Sequence, residues 1–542
     1  VLLWASFFPL SLGFLAWVAL VPWLSLVRAE ASRRHRYLAA WLGGLIFFVA
    51  ALQWVRVAHP MMYFAWIGLA IYCSLYFPLA LFLIRRLDRR GLPLWLSVPA
   101  VWIGLEYMRA HFPTGFSWLE PLGLQHMVGF GWYFLGYTQH DYLPLIQVAD
   151  LTGVYGLSFL IAGVNALVFL WLQRLASLEG MPRPIIGTAL TASLLVVTTV
   201  YGYWRLDHAP FVSGPNVALI QGNLPQEQKN ERGETMGKHF FRLADGAAQP
   251  SSDDEKPDLV VWPETACPLD WFDPPGRDQR ILLPKKLEER RRELAAYVAA
   301  TWHVNTLFGL NTIECESDHE AAKFNSAVLI SGQGIPIDRY DKIHLVPFGE
   351  YVPLRSIFPW LQAFTPYKND YSCQPGRDWT RFHLRLGDRM YRFAVLICYE
   401  DTDPSMARRY ALPESKDGDE ERPVDFLVNI SNDGWFRGSS EHEEHLAVCR
   451  FRAVETRRAV IRAVNMGISG IIDSDGRIVA LPADSWGASK AVEAVVRGAV
   501  PLDERSSLYA RLGDWLPLAC WGVLVLGILL PRFGRRDGER ET

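Results

Sequence analysis

Apolar residues are unevenly placed along this 542-residue chain. Over residues 1–205, and again over 512–531, they form long runs broken by short polar connections, whereas 212–505 holds most of the charge. A helix rises 1.5 Å per residue, so about 20 apolar residues cross a bilayer core of roughly 30 Å. On that measure the pattern predicts spans near Leu12 to Val27, Tyr37 to Val55, Tyr63 to Ile84, Leu92 to Met108, Tyr155 to Leu172, Ile186 to Trp204 and Leu512 to Leu530. Val1 to Phe8, which opens the chain without a methionine, reads as the remainder of an earlier span, making about eight in all.

The connections between these runs alternate in charge. Arg28, Arg33, Arg34 and Arg36 follow the second span, Arg85, Arg86, Arg89 and Arg90 the fourth, Arg174 and Arg183 the sixth, and Arg532, Arg535, Arg536 and Arg540 the last. Lysine and arginine accumulate on the cytoplasmic side. The connections around His59 and from Arg109 to Val154 are poor in both, so 212–505 is expected on the outer face, which in a bacterium is periplasmic. Buried core helices of a soluble protein would not need charges that alternate in this way.

From Asn216 onward the period changes. Short apolar runs of strand length alternate with longer helical patterns, as in an α/β domain. The expected strands are Val217 to Gln221, Leu259 to Trp262, Thr306 to Leu310, Ser326 to Ile330, Arg392 to Ile397, Phe426 to Ile430, Val460 to Ala463 and Gly470 to Ile472; helices are expected at Leu283 to Thr301 and Glu441 to Arg458. The organisation that follows is a helical bundle over 1–205, a catalytic domain over 212–505, a C-terminal span over 512–531 and a basic cytoplasmic tail over 532–542.

In open α/β sheets, reactive groups collect beyond the carboxyl ends of strands. Glu264 follows Val261-Trp262-Pro263, and Cys398 follows Leu396-Ile397 and precedes Tyr399-Glu400; Lys342 lies in Tyr340-Asp341-Lys342-Ile343-His344, ahead of the loop Val346-Pro347-Phe348-Gly349-Glu350. A carboxylate, an ammonium and a thiol are the parts of a cysteine acyl-transfer site. Singly each has a plainer reading, the cysteine as a small buried hydrophobe and the other two as solvated charges. Their joint occurrence carries the weight.

Composition narrows the picture further. A net charge of −3 excludes a general affinity for nucleic acid, and the arginine clusters are explained as topology signals. Of seven cysteines, Cys73 and Cys520 fall inside spans, and the other five lack the spacing of a disulfide framework or zinc site, although a Cys315 to Cys373 bridge is compatible with it. His442 and His445 lack the spacing of a helical zinc motif, and no third ligand is evident, so no metal is expected. A reactive thiol in an oxidising compartment must be sheltered, which calls for a recessed site.

These words resemble the nitrilase (carbon-nitrogen hydrolase) superfamily, and with the flanking spans the whole chain is similar to its membrane-bound branch, the apolipoprotein N-acyltransferases. The resemblance runs through Glu106-Tyr107-Met108-Arg109, Leu135-Gly136-Tyr137-Thr138-Gln139, Leu151-Thr152-Gly153-Val154-Tyr155-Gly156, Gln221-Gly222-Asn223-Leu224-Pro225-Gln226, the three reactive motifs, Asn429-Ile430-Ser431-Asn432-Asp433-Gly434-Trp435-Phe436 and Asn465-Met466-Gly467-Ile468-Ser469-Gly470. It departs where Asn230, not the family's usual Trp, follows Lys229, in a long Pro113 to Gly131 stretch and in an acidic insertion from Glu414 to Glu421.

The resemblance implies a nitrilase-like αββα sandwich carried on about eight membrane helices. It also implies an enzyme that moves an acyl chain from a phospholipid, with phosphatidylethanolamine the expected donor, to the α-amine of a diacylglyceryl-modified N-terminal cysteine of an apolipoprotein. Cys398 is the expected nucleophile, Glu264 the base and Lys342 an oxyanion donor together with the Tyr399 N–H. Glu350, Tyr399 and Glu400 are expected to support the site or position substrate. No cofactor is expected, since the thiol carries the acyl group, and the chain is expected to be a monomer. Apolar Ile357 to Phe364 reads as a Trp-bearing lid at the membrane interface. The competing readings are a membrane-tethered amidase acting on a small C–N substrate and a non-catalytic scaffold.

Overall fold

The computed structural model describes residues 1–113, 129–176, 183–230, 234–250, 256–277, 283–315, 321–352, 355, 357–364, 371–414 and 422–529. The basic tail over 532–542, most of the Pro113 to Gly131 stretch and the acidic insertion after Glu414 lie outside them.

In the first half, three helices among the described residues are long and apolar enough to cross a membrane: Met62–Asp88, Val154–Ala176 and Ile185–Asp207. Arg33–Ala51, Leu94–His111 and Trp515–Leu529 occupy further expected spans, but the first opens on arginines, the second buries Glu106 and Arg109, and the third is shorter. Among the described residues a count of about eight full-length spans is therefore not confirmed. The run Leu12 to Val27 is not one helix: it breaks into the 3-10 turn Gly13–Trp17, a single α-turn Val21–Leu24 containing Pro22, and the 3-10 turn Ser25–Val27. The backbone groups that a continuous helix would pair internally go to Asn165 instead, whose side chain accepts the Leu20 N–H at 2.8 Å and donates to the Ala16 carbonyl at 2.8 Å.

The basic connections meet at one end of this half. Arg28 pairs with Asp88 at 2.8 Å and donates to Gln173 at 2.8 Å, and Arg90 donates to the carbonyl of Ile528.

Among the described residues the second half contains thirteen strands: β1 (Val212–Gln221), β2 (Leu259–Val261), β3 (Trp271–Asp273), β4 (Asn305–Cys315), β5 (Ala321–Ile330), β6 (Pro336–Asp341), β7 (Phe382–Leu386), β8 (Arg389–Ile397), β9 (Phe426–Asn432), β10 (Ala459–Asn465), β11 (Gly470–Ile472), β12 (Ile478–Ala480) and β13 (Ala494–Leu502). They form two sheets, ordered β13-β1-β2-β4-β5-β6 with β3 beside β4, and β12-β11-β10-β9-β8-β7. All eight expected strands are present. The additional ones lie mostly at sheet edges, where runs such as Phe382-His383-Leu384-Arg385-Leu386 alternate with charge and carry a weaker apolar signal.

One core joins the facing sheets, with Val217, Leu259 and Leu329 from the first and Phe393, Val428 and Ile461 from the second. A separate core backs the first sheet with the helices Glu234–Ala248 and Lys285–Tyr297. The second sheet is backed by Pro404–Tyr410 and Glu441–Thr456. The layers are α, β, β, α.

Every residue of Glu441–Thr456 is buried, because this helix lies between its sheet and the helical half. Its apolar Val448, Phe451 and Val454 belong to the core of the helical half. Its polar groups cross as well: Glu444 accepts the Phe8 N–H at 2.8 Å, Glu455 accepts the Val154 N–H at 2.8 Å, and Arg450 donates to the His140 carbonyl at 2.7 Å. Just beyond it, fully buried Arg457 donates to Asp150 at 2.7 and 2.9 Å, to Gln147 at 2.8 Å and to Asp475 at 2.8 Å. Arg205 and Tyr201, on the Ile185–Asp207 helix, also donate to Asp150.

Candidate active site

Strand direction brings the charged residues together. β2 runs parallel to β4, β5 antiparallel to β4 and β6 antiparallel to β5, so the carboxyl ends of β2 and β6 lie on the same edge of the first sheet. Glu264 lies three residues past the end of β2, and Lys342 directly follows β6. The turn carrying Glu264 crosses close over β4 at Gly309, where a Cβ would stand 2.1 Å from the Pro263 carbonyl oxygen, so only glycine fits there. Lys342 donates to Glu264 at 3.1 Å and to Glu350 at 2.8 Å.

Cys398 leaves the end of β8 in the other sheet with φ +54°, a left-handed conformation that opens the 3-10 turn Cys398–Thr402. Such a backbone is unfavourable for a residue with a Cβ and persists only where the surroundings over-determine it. The turn is bracketed by Glu400, whose fully buried carboxylate accepts the N–H of Ile397 at 2.7 Å, of Ile343 at 2.7 Å and of His344 at 3.1 Å, and the hydroxyl of Tyr340 at 2.9 Å. Glu400 therefore ties the Cys398 turn to the Lys342 loop from beneath. Tyr399 reaches the other half of the molecule, donating its hydroxyl to the Gly129 carbonyl at 2.9 Å.

Burial alone would raise the Glu264 carboxyl, but Lys342, Lys229 and the Asn325 amide outweigh it and hold it below the ordinary carboxylate value. Burial opposes the charge on Lys342 too, and there Glu264 and Glu350 prevail, raising the ammonium well above its usual value. Cys398 is pushed up to about 12, first by burial and then by the Glu264 carboxylate, against the pull of Lys342. At neutral pH the resting state is a carboxylate, an ammonium and a protonated thiol.

Residues 1–167 match the apolipoprotein N-acyltransferase N-terminal domain, and residues 216–504 match the carbon-nitrogen hydrolase family. A protein of Geobacter metallireducens named apolipoprotein N-acyltransferase is 36% identical over 96% of this chain and 91% of its own length. Proteins of the same name from Rhodopirellula baltica and Chlorobaculum tepidum are each 29% identical, over 97% and 94% of this chain and 94% and 90% of their own lengths. The chain belongs to the apolipoprotein N-acyltransferase family.

Three more residues lie close to the site, and the first two carry no distinctive signal in the sequence. Asn325, a lone amide on β5, donates to Glu264 and Glu350 at 2.7 Å each and locks the two carboxylates around Lys342. Lys229, met in the sequence only beside the departure at Asn230, donates to the Glu264 carbonyl at 2.6 Å and to the Thr265 hydroxyl at 2.9 Å. Asn429 belongs to a motif shared with the N-acyltransferases, and its amide lies 3.3 Å from the carbonyl of Cys398.

Behind Cys398 the same fold gathers a second buried cluster. Asp433, Glu441 and His445 bring ligand-type atoms within 4.8 Å of one another, supplying the neighbours that His445 lacks in sequence. Cations already balance these acids. Arg462 donates to Asp433 at 2.7 Å, and the His445 ring lies between Asp401 at 2.9 Å, Asp433 at 3.2 Å and Glu441 at 3.2 Å. Burial alone would lower His445, yet these carboxylates raise it well above its usual value, so the ring is an imidazolium.

Proposed function

We propose that this acyltransferase of bacterial membranes acylates the α-amine of the S-diacylglyceryl N-terminal cysteine of apolipoproteins, taking the acyl chain from a phospholipid through a thioester on Cys398. The observation that carries the reading is Lys342 held between Glu264 and Glu350 and set against the strained turn of Cys398. A resting thiol needs a base, and Glu264 is ionised and at hand. As Cys398 Sγ attacks the ester carbonyl, Glu264 takes the thiol proton and returns it to the departing lysophospholipid oxygen. It then takes a proton from the incoming amine, whose attack releases the thiolate, and hands that proton back to sulfur.

Each attack leaves an oxyanion. An ammonium has three donors, and Lys342 commits two of them to Glu264 and Glu350, leaving a third for that oxygen, with the Tyr399 N–H as partner. Glu350 and Asn325 keep the ammonium aimed. The division into a bundle over 1–205, a periplasmic catalytic domain over 212–505 and a C-terminal span over 512–531 belongs to this reading, as do ping-pong kinetics, phosphatidylethanolamine as donor and a monomeric enzyme.

The test is the intact mass of the detergent-purified chain after incubation with phosphatidylethanolamine alone. A fatty-acyl increment that hydroxylamine removes and Cys398→Ala lacks is expected. An unmodified protein with demonstrably reduced Cys398 overturns lipid acyl transfer and favours hydrolysis of a small amide.

A further inference from the structure

We infer that Asn429, held in place by Arg462, is a positioning residue that fixes the direction of the Tyr399 N–H at the oxyanion position. The inference rests on the thioester reading and deepens it. A trans peptide is planar, and its C=O and N–H point in opposite directions. Whatever holds the carbonyl of Cys398 therefore aims the N–H of Tyr399, which belongs to the same peptide group.

The Asn429 side chain is what holds that carbonyl. Its Nδ2 lies 3.3 Å from the Cys398 oxygen and 3.3 Å from the Leu396 oxygen, so one amide grips the chain on both sides of Ile397. Sheet register puts the amide there: Leu396 on β8 is paired with Asn429 on β9, and Asn429 with Arg462 on β10. Three neighbouring strands thus carry carbonyl, amide and guanidinium at one level across the sheet. Arg462 donates to Asn429 Oδ1 at 2.5 Å, which leaves the NH₂ end facing the cysteine turn. The guanidinium is fixed in turn by Asp433 at 2.7 Å and the Ile468 carbonyl at 3.2 Å, and it is fully buried.

A buried ion pair is weak evidence for stability, since apolar residues of similar volume often do as well. An arginine in the middle of a sandwich sheet calls for another use, and orienting the amide supplies one. Asn429 has a group that accepts from Arg462 and a group that donates to the carbonyl. Aspartate has only the first, and leucine has neither.

The test compares two reactions of Cys398 in the detergent-purified full-length chain. Alkylation by iodoacetamide displaces halide from a saturated carbon and forms no oxyanion, whereas acylation by phosphatidylethanolamine forms one. Asn429→Leu and Asn429→Asp are expected to lower the acylation rate about 100-fold, the scale of one oxyanion donor. Alkylation, followed across pH, should stay within about threefold of the unaltered protein once corrected for any shift in thiol pKa. The aspartate keeps its contact with Arg462 and guards against simple misfolding. Acylation within about threefold of normal in both variants overturns the positioning role while leaving the thioester intact. Parallel loss of acylation and alkylation assigns Asn429 a purely structural role and overturns it as well. Unaltered protein that takes no acyl group overturns the thioester reading, and the inference with it.

Discussion

Two buried clusters of charge deal with their charges differently. At the junction of the halves, Arg457, Asp150, Asp475, Arg205 and Gln147 consume one another's donors and acceptors in contacts of 2.7–2.9 Å. At the edge of the first sheet, Glu264 and Lys342 are held as firmly, but beside a thiol that neither of them binds as a closed pair. The first cluster is saturated and can only hold. The second retains donor capacity and a base, and that remainder is what chemistry needs.

If this contrast is right, damage at the two places should be separable. The largest effect is expected at Lys342. Lys342→Met should slow acylation at least about 100-fold. With the ammonium gone, burial becomes the dominant influence on Glu264, so its carboxyl rises above the ordinary value and the acid limb of the remaining rate moves toward neutral pH. A pH profile of the residual acylation checks both; an unmoved acid limb breaks the assignment of Glu264 as base.

Next comes the junction. Arg457→Met removes the cation that Asp150 and Asp475 share, leaving them Arg205 and Arg505, and should cost about 1.5–3 kcal/mol. A thermal melt reads this, and the acylation rate per folded molecule should stay within about threefold; a large loss of rate at unchanged stability would erase the distinction between the clusters.

A smaller change is expected at the exposed apolar turn before and within Pro359–Phe364, where Phe358 is 43% and Trp360 62% exposed. Serine at both positions should raise the phospholipid concentration giving half-maximal rate by about fivefold without changing the maximal rate, if these residues dip into the interface. Unaltered kinetics reject that role.

The smallest effect concerns the unmodified enzyme. Glu264 titrates below, and Lys342 well above, their ordinary values, so the acylation rate should be flat from about pH 6 to 9. A bell-shaped curve centred near neutrality would show that other groups set the rate.

Glu264 and Cys398 were legible because each stands where an apolar run gives way to polar residues, and a strand end is a local property of sequence; Lys342 follows the mixed run Pro336–Asp341, which gave no strand signal, and was singled out by its motif. Asn325 was not, since a single amide inside Phe324-Asn325-Ser326 only weakens a strand signal, and its two carboxylate partners lie 61 and 25 residues away. The Glu441 helix shows the same limit. Its boundaries could be read, but a segment beginning Glu441-His442-Glu443-Glu444-His445 looks like a solvated face, and only the fold reveals that every residue of it is buried. In Leu12 to Val27 only Gly13 and Pro22 hint at a break, and nothing in the run shows that its backbone turns around Asn165, which lies on another helix.

The junction also has a consequence for how the molecule is made. Asp150 and its principal partner Arg457 are 307 residues apart. At about 5–20 residues per second, a ribosome separates them by about 15–60 s. During that interval Asp150 has only Arg205 and Tyr201 of the helical half as donors, and the second cation of the folded joint has not yet been synthesised. The joint is closed only when the second half of the chain arrives, so a chain that stops before residue 457 leaves Asp150 with one of its two cations.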